Sequence, residues 1–160
     1  MIFELTKTEQ FLAKYVARTR YESARKSGIV DQKKGDQSCE DTDLDGFAAE
    51  LLFARIFNLF PDLSGGVEVV DGVTRKGKTY DVKVTRHENG HLIAGLHKKN
   101  KPCEVYVLFI GSFPRYRIAG FGDRESLLND KKIKDLGKGP VYALSQDDPD
   151  FKKFKKTSAE

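Results

Sequence analysis

The chain has 160 residues, enough to bury a core, and its 39% apolar and 32% charged residues are a globular balance rather than a disordered one. A net charge of +4 is modestly basic, compatible with a polyanionic partner and equally with plain solubility. Two cysteines, Cys39 and Cys103, offer no zinc spacing and no disulfide framework, and no apolar run has the length of a signal peptide or a bilayer span, so a cytoplasmic setting is expected.

Residues 6–27 read as a helix, with Phe11, Leu12, Tyr15, Val16 and Ala24 as its apolar stripe. Residues 28–42 are polar and glycine-punctuated, and read as a long loop able to cover a substrate groove. Thr42 or Asp43 offers an N-cap for a second helix over 43–59, stopped by Pro61; it is apolar nearly all round and is expected to be buried. Val67–Val73 and Lys78–Arg86 flank a turn at Lys76-Gly77, which predicts a hairpin. Asn89-Gly90 signals a second hairpin, leading into His91–Leu96. Strands are expected over Glu104–Ile110 and Tyr116–Phe121, then a short helix at Asp123–Leu128 and a frayed end from about Lys152. That order predicts an α+β fold, with a mixed or antiparallel sheet packed on helices. A single domain is expected over 1–160, made of a helix and loop (1–42), a core (43–128) and a C-terminal extension (129–160).

Thr79–Thr85 alternates strictly, so Asp81 and Lys83 share one strand face, opposite Tyr80, Val82 and Val84. Asp-x-Lys occurs four times in the chain, and only this copy lies on a predicted strand. If the hairpin turns at Lys76-Gly77, residues whose numbers sum to about 152 face each other, which sets Asp71 opposite Asp81. Like charges so placed call for a cation between them. Glu50 sits among Phe53, Ala54 and Phe57 on the apolar helix, where an ionised carboxylate needs a partner or a metal.

Gly46-Phe-Ala-Ala-Glu50 on a helix, Asp71 on a strand and Asp81-Val82-Lys83 on the next resemble the active-site order of PD-(D/E)XK, or restriction-endonuclease-like, nucleases. The segments Tyr80–Arg86, Glu104–Ile110 and Tyr116–Phe121 also resemble small phage-encoded members. The resemblance spans roughly 43–128. It implies a restriction-endonuclease-like mixed sheet flanked by helices, and metal-dependent hydrolysis of phosphodiester bonds, with DNA the first candidate substrate. Asp71 and Asp81 would ligate Mg²⁺, or Mn²⁺ in its place, with the Val82 backbone carbonyl. Glu50 would complete the site through a water or a second metal, and Lys83 would orient the attacking water and stabilise developing charge. The family's literal Pro-Asp pair is absent at Asp71, where Val70 precedes; Asp62, after Pro61, and Glu68 are the alternative acids. Arg86, His97, Lys98, Lys99 and Lys101 are candidates for nucleic-acid contact, with an ordinary polar loop as the competing reading. Members of this fold often act as homodimers. The alternative function is a nucleic-acid-binding module that has lost cleavage.

Overall fold

A two-residue strand, β1 (Phe3–Glu4), leads into α1 (Lys7–Lys26), and the sequence between them sets where the helix starts. The Thr6 hydroxyl accepts from the Glu9 N–H while the Glu9 carboxylate accepts from the Thr6 N–H, a reciprocal cap on two orphan donors. The computed structural model of the chain describes residues 1–28, 38–64 and 70–155. In α1 the expected apolar stripe needs correction: Ala13, Val16 and Ala17 are buried, whereas Phe11 and Tyr15 face solvent. Small side chains let α1 lie close against the next helix, and apolar bulk is a poor guide to such a contact.

That helix, α2 (Cys39–Phe57), begins earlier than expected, capped by Ser38 rather than Thr42 or Asp43. The Ser38 hydroxyl accepts from the Asp41 N–H at 3.1 Å, and Glu40 and Asp41 occupy the first turn, where the helix dipole favours acids. The polar composition that suggested a loop here is that of a helix N-terminus; the rest of the predicted loop, 29–37, lies outside the described residues. Asn58 ends α2 in a left-handed conformation (φ 52°) before Pro61 is reached.

The hairpin forms as expected. β2 (Gly72–Val73) runs antiparallel to β3 (Thr79–Thr85), with Gly72 opposite Tyr80 and Val73 opposite Thr79; the remainder of its predicted first strand, 67–69, lies outside the described residues. Asn89-Gly90 does not make a second hairpin with β3. The Gly90 N–H closes a turn on the His87 carbonyl, but β4 (Leu92–Gly95) then leaves the sheet. A 3₁₀ turn (Leu96–Asn100) brings the chain back to β5 (Val105–Ser112), which is parallel to β3. Parallel neighbours need a crossover, and residues 86–104 supply it.

β6 (Arg115–Asp123) returns antiparallel to β5 and is followed by α3 (Arg124–Leu127), a 3₁₀ turn (Asp130–Lys132), β7 (Ile133–Asp135), β8 (Pro140–Leu144) and β9 (Lys152–Lys153). The main sheet is mixed, in the order β1–β6–β5–β3–β2, with β9 also on the outer edge of β6; a second sheet has the order β4–β8–β7. Where fraying was expected from about Lys152, β9 forms and Phe154 lies near Phe57 and Phe121; the rest of that end, 156–160, lies outside the described residues.

Three layers result, an α+β arrangement. α1 and α2 cover one face of the main sheet through Phe47, Leu52, Phe53, Tyr80, Val82, Val107 and Phe109. The small sheet covers the other through Leu92, Ala94, Tyr142 and Leu144 against Tyr106, Leu108 and Ile110. Burial on both faces explains the unbroken apolar run of β5. Ala119 is the extra residue of a bulge between the Leu108–Gly120 and Phe109–Ile118 pairs, and the phase shift it makes keeps Phe121 on the same core as Tyr116 and Ile118 while Ala119 faces the other.

Asp45, 2% exposed on α2, ties these parts together. Its carboxylate accepts from the Tyr116 hydroxyl at 2.6 Å, the Phe113 N–H at 2.8 Å and the Arg86 guanidinium at 2.9 Å. Asp45→Ala strands three donors at once and is expected to destabilise the chain by about 3 kcal/mol, read as a lower urea midpoint at unchanged slope.

Candidate functional site

β3 alternates as its sequence predicts. Tyr80 and Val82 pack under α2, while Asp81 and Lys83 project from the opposite face. Asp81 is 2% exposed, beside Tyr106 of β5. Both of its oxygens are bonded to ammonium groups: Oδ1 accepts from Lys83 Nζ and Oδ2 from Lys98 Nζ, the latter at 2.8 Å.

Asp71 lies at the point where the β2–β3 ladder ends. Its N–H donates to the Tyr80 carbonyl at 2.9 Å, and its Oδ2 accepts from the Val82 N–H at 2.6 Å. The side chain therefore supplies the acceptor that a longer β2 would have offered. The Val82 carbonyl points to the same open edge as its N–H, because both groups of one strand residue project to one side. Gly72 is required here: a Cβ would stand 2.5 Å from the Tyr80 hydroxyl.

Glu50 reaches this edge from α2. Its Oε2 accepts from Arg20 Nη1 at 2.9 Å, and Arg20 also donates to the carbonyls of Asp62 (2.9 Å) and Ser64 (3.2 Å) while its guanidinium lies 4.7 Å from the Phe47 ring centre. Arg20, Glu50, Asp62 and Asp71 all line a cleft of about 260 Å³.

The electrostatics link the carboxylates in series. Burial, then the charge of Asp71, raises Glu50 to about 8 against the opposing pull of Arg20 and Lys83. Burial, then Asp81, raises Asp71 to about 6. Burial would raise Asp81 too, but Lys83 and Lys98 outweigh it and hold Asp81 below the usual carboxylate range. Lys83 is depressed by burial yet ends above its ordinary value, because Asp81, Asp71 and Glu50 all face it. One ammonium thus sits in the field of three carboxylates, one on β3, one on α2 and one just before β2.

Among the alternatives for the first acid, Asp62 caps the Ser64 N–H and hydroxyl at 2.8 and 3.0 Å, and Glu68 lies outside the described residues. Of the residues proposed for nucleic-acid contact, Arg86 is engaged by Asp45, and His97 is exposed on the 3₁₀ turn. Lys99 bonds Asp130 at 2.6 Å, and Lys101 follows the turn, whose carbonyls at Lys99 and Lys101 accept from Arg124. Lys98 belongs with Asp81 instead. Two members of the site were not assigned to it from sequence, Lys98 and Arg20. For Arg20 a signal existed: Ala13, Val16, Ala17 and Arg20 fall on one helical face, so a cation continues the buried stripe.

The donor set of Asp71, Asp81 and the Val82 carbonyl is hard oxygen, and mutual repulsion along Glu50, Asp71 and Asp81 is what a divalent cation relieves. Those residues fit Mg²⁺ in chemistry. Their present spacing is set by lysine and arginine, and among the described residues no group of three or more His, Cys, Asp or Glu side chains is gathered tightly enough to hold an ion.

A mixed sheet that presents carboxylates and a lysine at an open edge defines the class of site. The chain itself belongs to a family of unknown function, DUF5843, whose model matches residues 2–116. That span includes Arg20, Glu50, Asp71, Asp81, Lys83 and Lys98, and stops before β7, β8 and β9. No curated protein and no solved structure matches the chain. No helix among the described residues is long and apolar enough to cross a membrane.

Glu50 makes the pH dependence of stability testable. Unfolded, it ionises near 4.5; folded, it keeps its proton up to about 8. The native state binds the extra proton across that window, so the contribution of Glu50 to stability falls as pH rises from about 4.5 to about 8. Glu50→Gln keeps an acceptor for Arg20 without the titration. Its thermal midpoint should drop less than that of the wild type between about pH 5 and about pH 9; equal slopes would show that Glu50 does not carry this linkage.

Proposed function

We propose that the chain is a metal-dependent nuclease that hydrolyses phosphodiester bonds, in DNA first, on a restriction-endonuclease-like fold. The observation that carries the reading is the set of acids gathered beside Lys83 at the open edge of a mixed sheet: Lys83 bonds Asp81, the Val82 N–H holds Asp71, and Glu50 lines the same cleft as Asp71. The β2–β3 register and the burial of Glu50 on α2 support it, since each was required by the active-site order from which the reading began.

Mg²⁺ held by Asp71, Asp81 and the Val82 carbonyl would polarise the phosphate and make a nearby water more acidic. The chain does the rest. Lys83 orients the attacking water and stabilises the negative charge that builds on the phosphate, the work of a compact ammonium fixed among carboxylates. Asp71 is anchored by the Val82 N–H, so its carboxylate is aimed before substrate arrives. Arg20 holds Glu50 at the cleft, where it completes the site through a water or a second ion. The exposed Lys and His side chains after β4 track backbone phosphates, giving salt-sensitive affinity with little sequence preference. Neither Cys39 nor Cys103 is in a disulfide, which suits a reducing, cytoplasmic setting.

One observation favours a second reading, a binding module without cleavage: lysines already occupy both oxygens of Asp81. The test separates them. With Mg²⁺ or Mn²⁺ and supercoiled, linear or branched DNA, the wild-type chain should cut and EDTA should stop it. Lys83→Ala and Asp81→Asn should each reduce cleavage by at least about 10²-fold with folding retained. Binding without cleavage under every metal would leave the module reading in place.

A further inference from the structure

α1 buries one face and leaves the opposite one bare. Ala13, Val16, Ala17 and Arg20 turn inward, while Lys7, Phe11, Lys14, Tyr15 and Arg18 recur at the spacing that keeps them on the outer side. Phe11 is 75% exposed and Tyr15 66%. A single exposed aromatic is ordinary, but these two stand on successive turns, about 6 Å apart at Cβ. Neither belongs to the hydrophobic core.

The charges around the two rings are mostly of one sign. Lys7, Lys14 and Arg18 flank them, and Glu22, the acid on this face, pairs with Arg18 at 3.0 Å with both side chains open to solvent. Such an exposed pair is worth little and exchanges readily. Glu9 is turned aside to Arg55 and the Thr6 cap. Lys14 Nζ lies 5.4 Å from the Phe113 ring centre, which sets its direction beside the stripe. A groove of about 400 Å³ opens on this flank; Lys14, Arg18, Tyr21, Glu22, Glu40 and Leu44 line it, and it has room for a base. A second copy of the chain suits such a face poorly, because two copies would bring a surplus of cations together. A polyanion with flat apolar faces suits it well.

We propose that the outer face of α1 is a platform for single-stranded nucleic acid: Phe11 and Tyr15 stack bases while Lys7, Lys14 and Arg18 meet the phosphates. The platform rests on the nucleic-acid reading above and needs no metal. An unpaired strand fits where a duplex does not, because paired bases are stacked on one another and closed to an outside ring. Arg20 leaves the same helix on its far side, so the strand is held beside the cleft rather than in it.

The experiment is fluorescence anisotropy of the full-length chain with a labelled oligothymidylate in EDTA, beside a duplex and an abasic strand of the same length. The wild type should bind the oligothymidylate at least about tenfold more tightly than the abasic strand. Phe11→Ala and Tyr15→Ala should each weaken that binding about fivefold or more and leave the abasic strand unchanged. Neither should lower the thermal midpoint, since both side chains lie outside the core. Tyr15→Phe keeps a ring and should bind as the wild type does. Lys7→Gln and Lys14→Gln should each reduce the salt slope by about 0.7. No binding by the wild type, or equal affinity for the abasic strand or the duplex, would overturn the platform. A wild-type dimer that Phe11→Ala or Tyr15→Ala dissociates, seen by light scattering, would assign the face to a second copy instead. The expected binding pattern without cleavage under any metal keeps the platform and removes the nuclease. Metal-dependent cleavage, with Phe11→Ala and Tyr15→Ala binding as the wild type does, keeps the nuclease and removes the platform.

Discussion

Burying an ionised aspartate on the covered face of a sheet obliges the rest of the molecule to bring cations to it. Asp81 is 2% exposed and keeps its charge because two ammonium groups, from two different layers, bond its two oxygens. Lys83 comes from the same strand face. Lys98 comes from the crossover, and the crossover exists because β3 and β5 are parallel. The strand pairing, the second sheet and the neutralisation of one carboxylate are thus parts of a single solution.

The open edge beside Val82 depends on how short β2 is. With two paired residues, β2 leaves the Val82 N–H to a side chain, and Asp71 takes it. A longer β2 would have satisfied that donor from the backbone and closed the edge. Asp71 is consequently both a structural acceptor and the middle of the carboxylate series, which is why Asp81 pushes it upward and it pushes Glu50 upward in turn. Arg20 closes the series on the helical side, where its guanidinium lies against Phe47 and joins Glu50 to the segment after α2. Each charge in the site is offset by a neighbour that also holds two elements together.

Asp45 shows the contrasting case of a buried carboxylate on the same helix. It is satisfied by a hydroxyl, a backbone N–H and an arginine, all serving to hold α2 to the β5–β6 turn and to the end of β3. Arg86, read from sequence as a phosphate contact, is one of those partners. Asp45 and Glu50 therefore differ in more than position. Donors surround the first, while the second is set against another acid and stays proton-hungry at neutral pH.

Local chemistry determined much of this from the sequence. The Thr6–Glu9 cap, the alternation of Thr79–Thr85, the turn at Lys76-Gly77 and the β-branched run of β5 are signals a few residues long, and each gave its element, including the hairpin register. The start of α2 was equally local, and was misread because polar caps resemble loops. Long-range pairing could not be read. Asn89-Gly90 makes a turn wherever it sits, but whether β4 returns to β3 or joins β8 depends on residues 140–144, and no local pattern carries that choice. The same holds for the site. Asp81, Lys83 and Glu50 declared themselves by type and setting, whereas Arg20 and Lys98 acquire their roles only when α1 meets α2 and the crossover folds back. A side chain's periodicity reports which face it occupies; which charge it meets is fixed by the packing of layers distant in sequence.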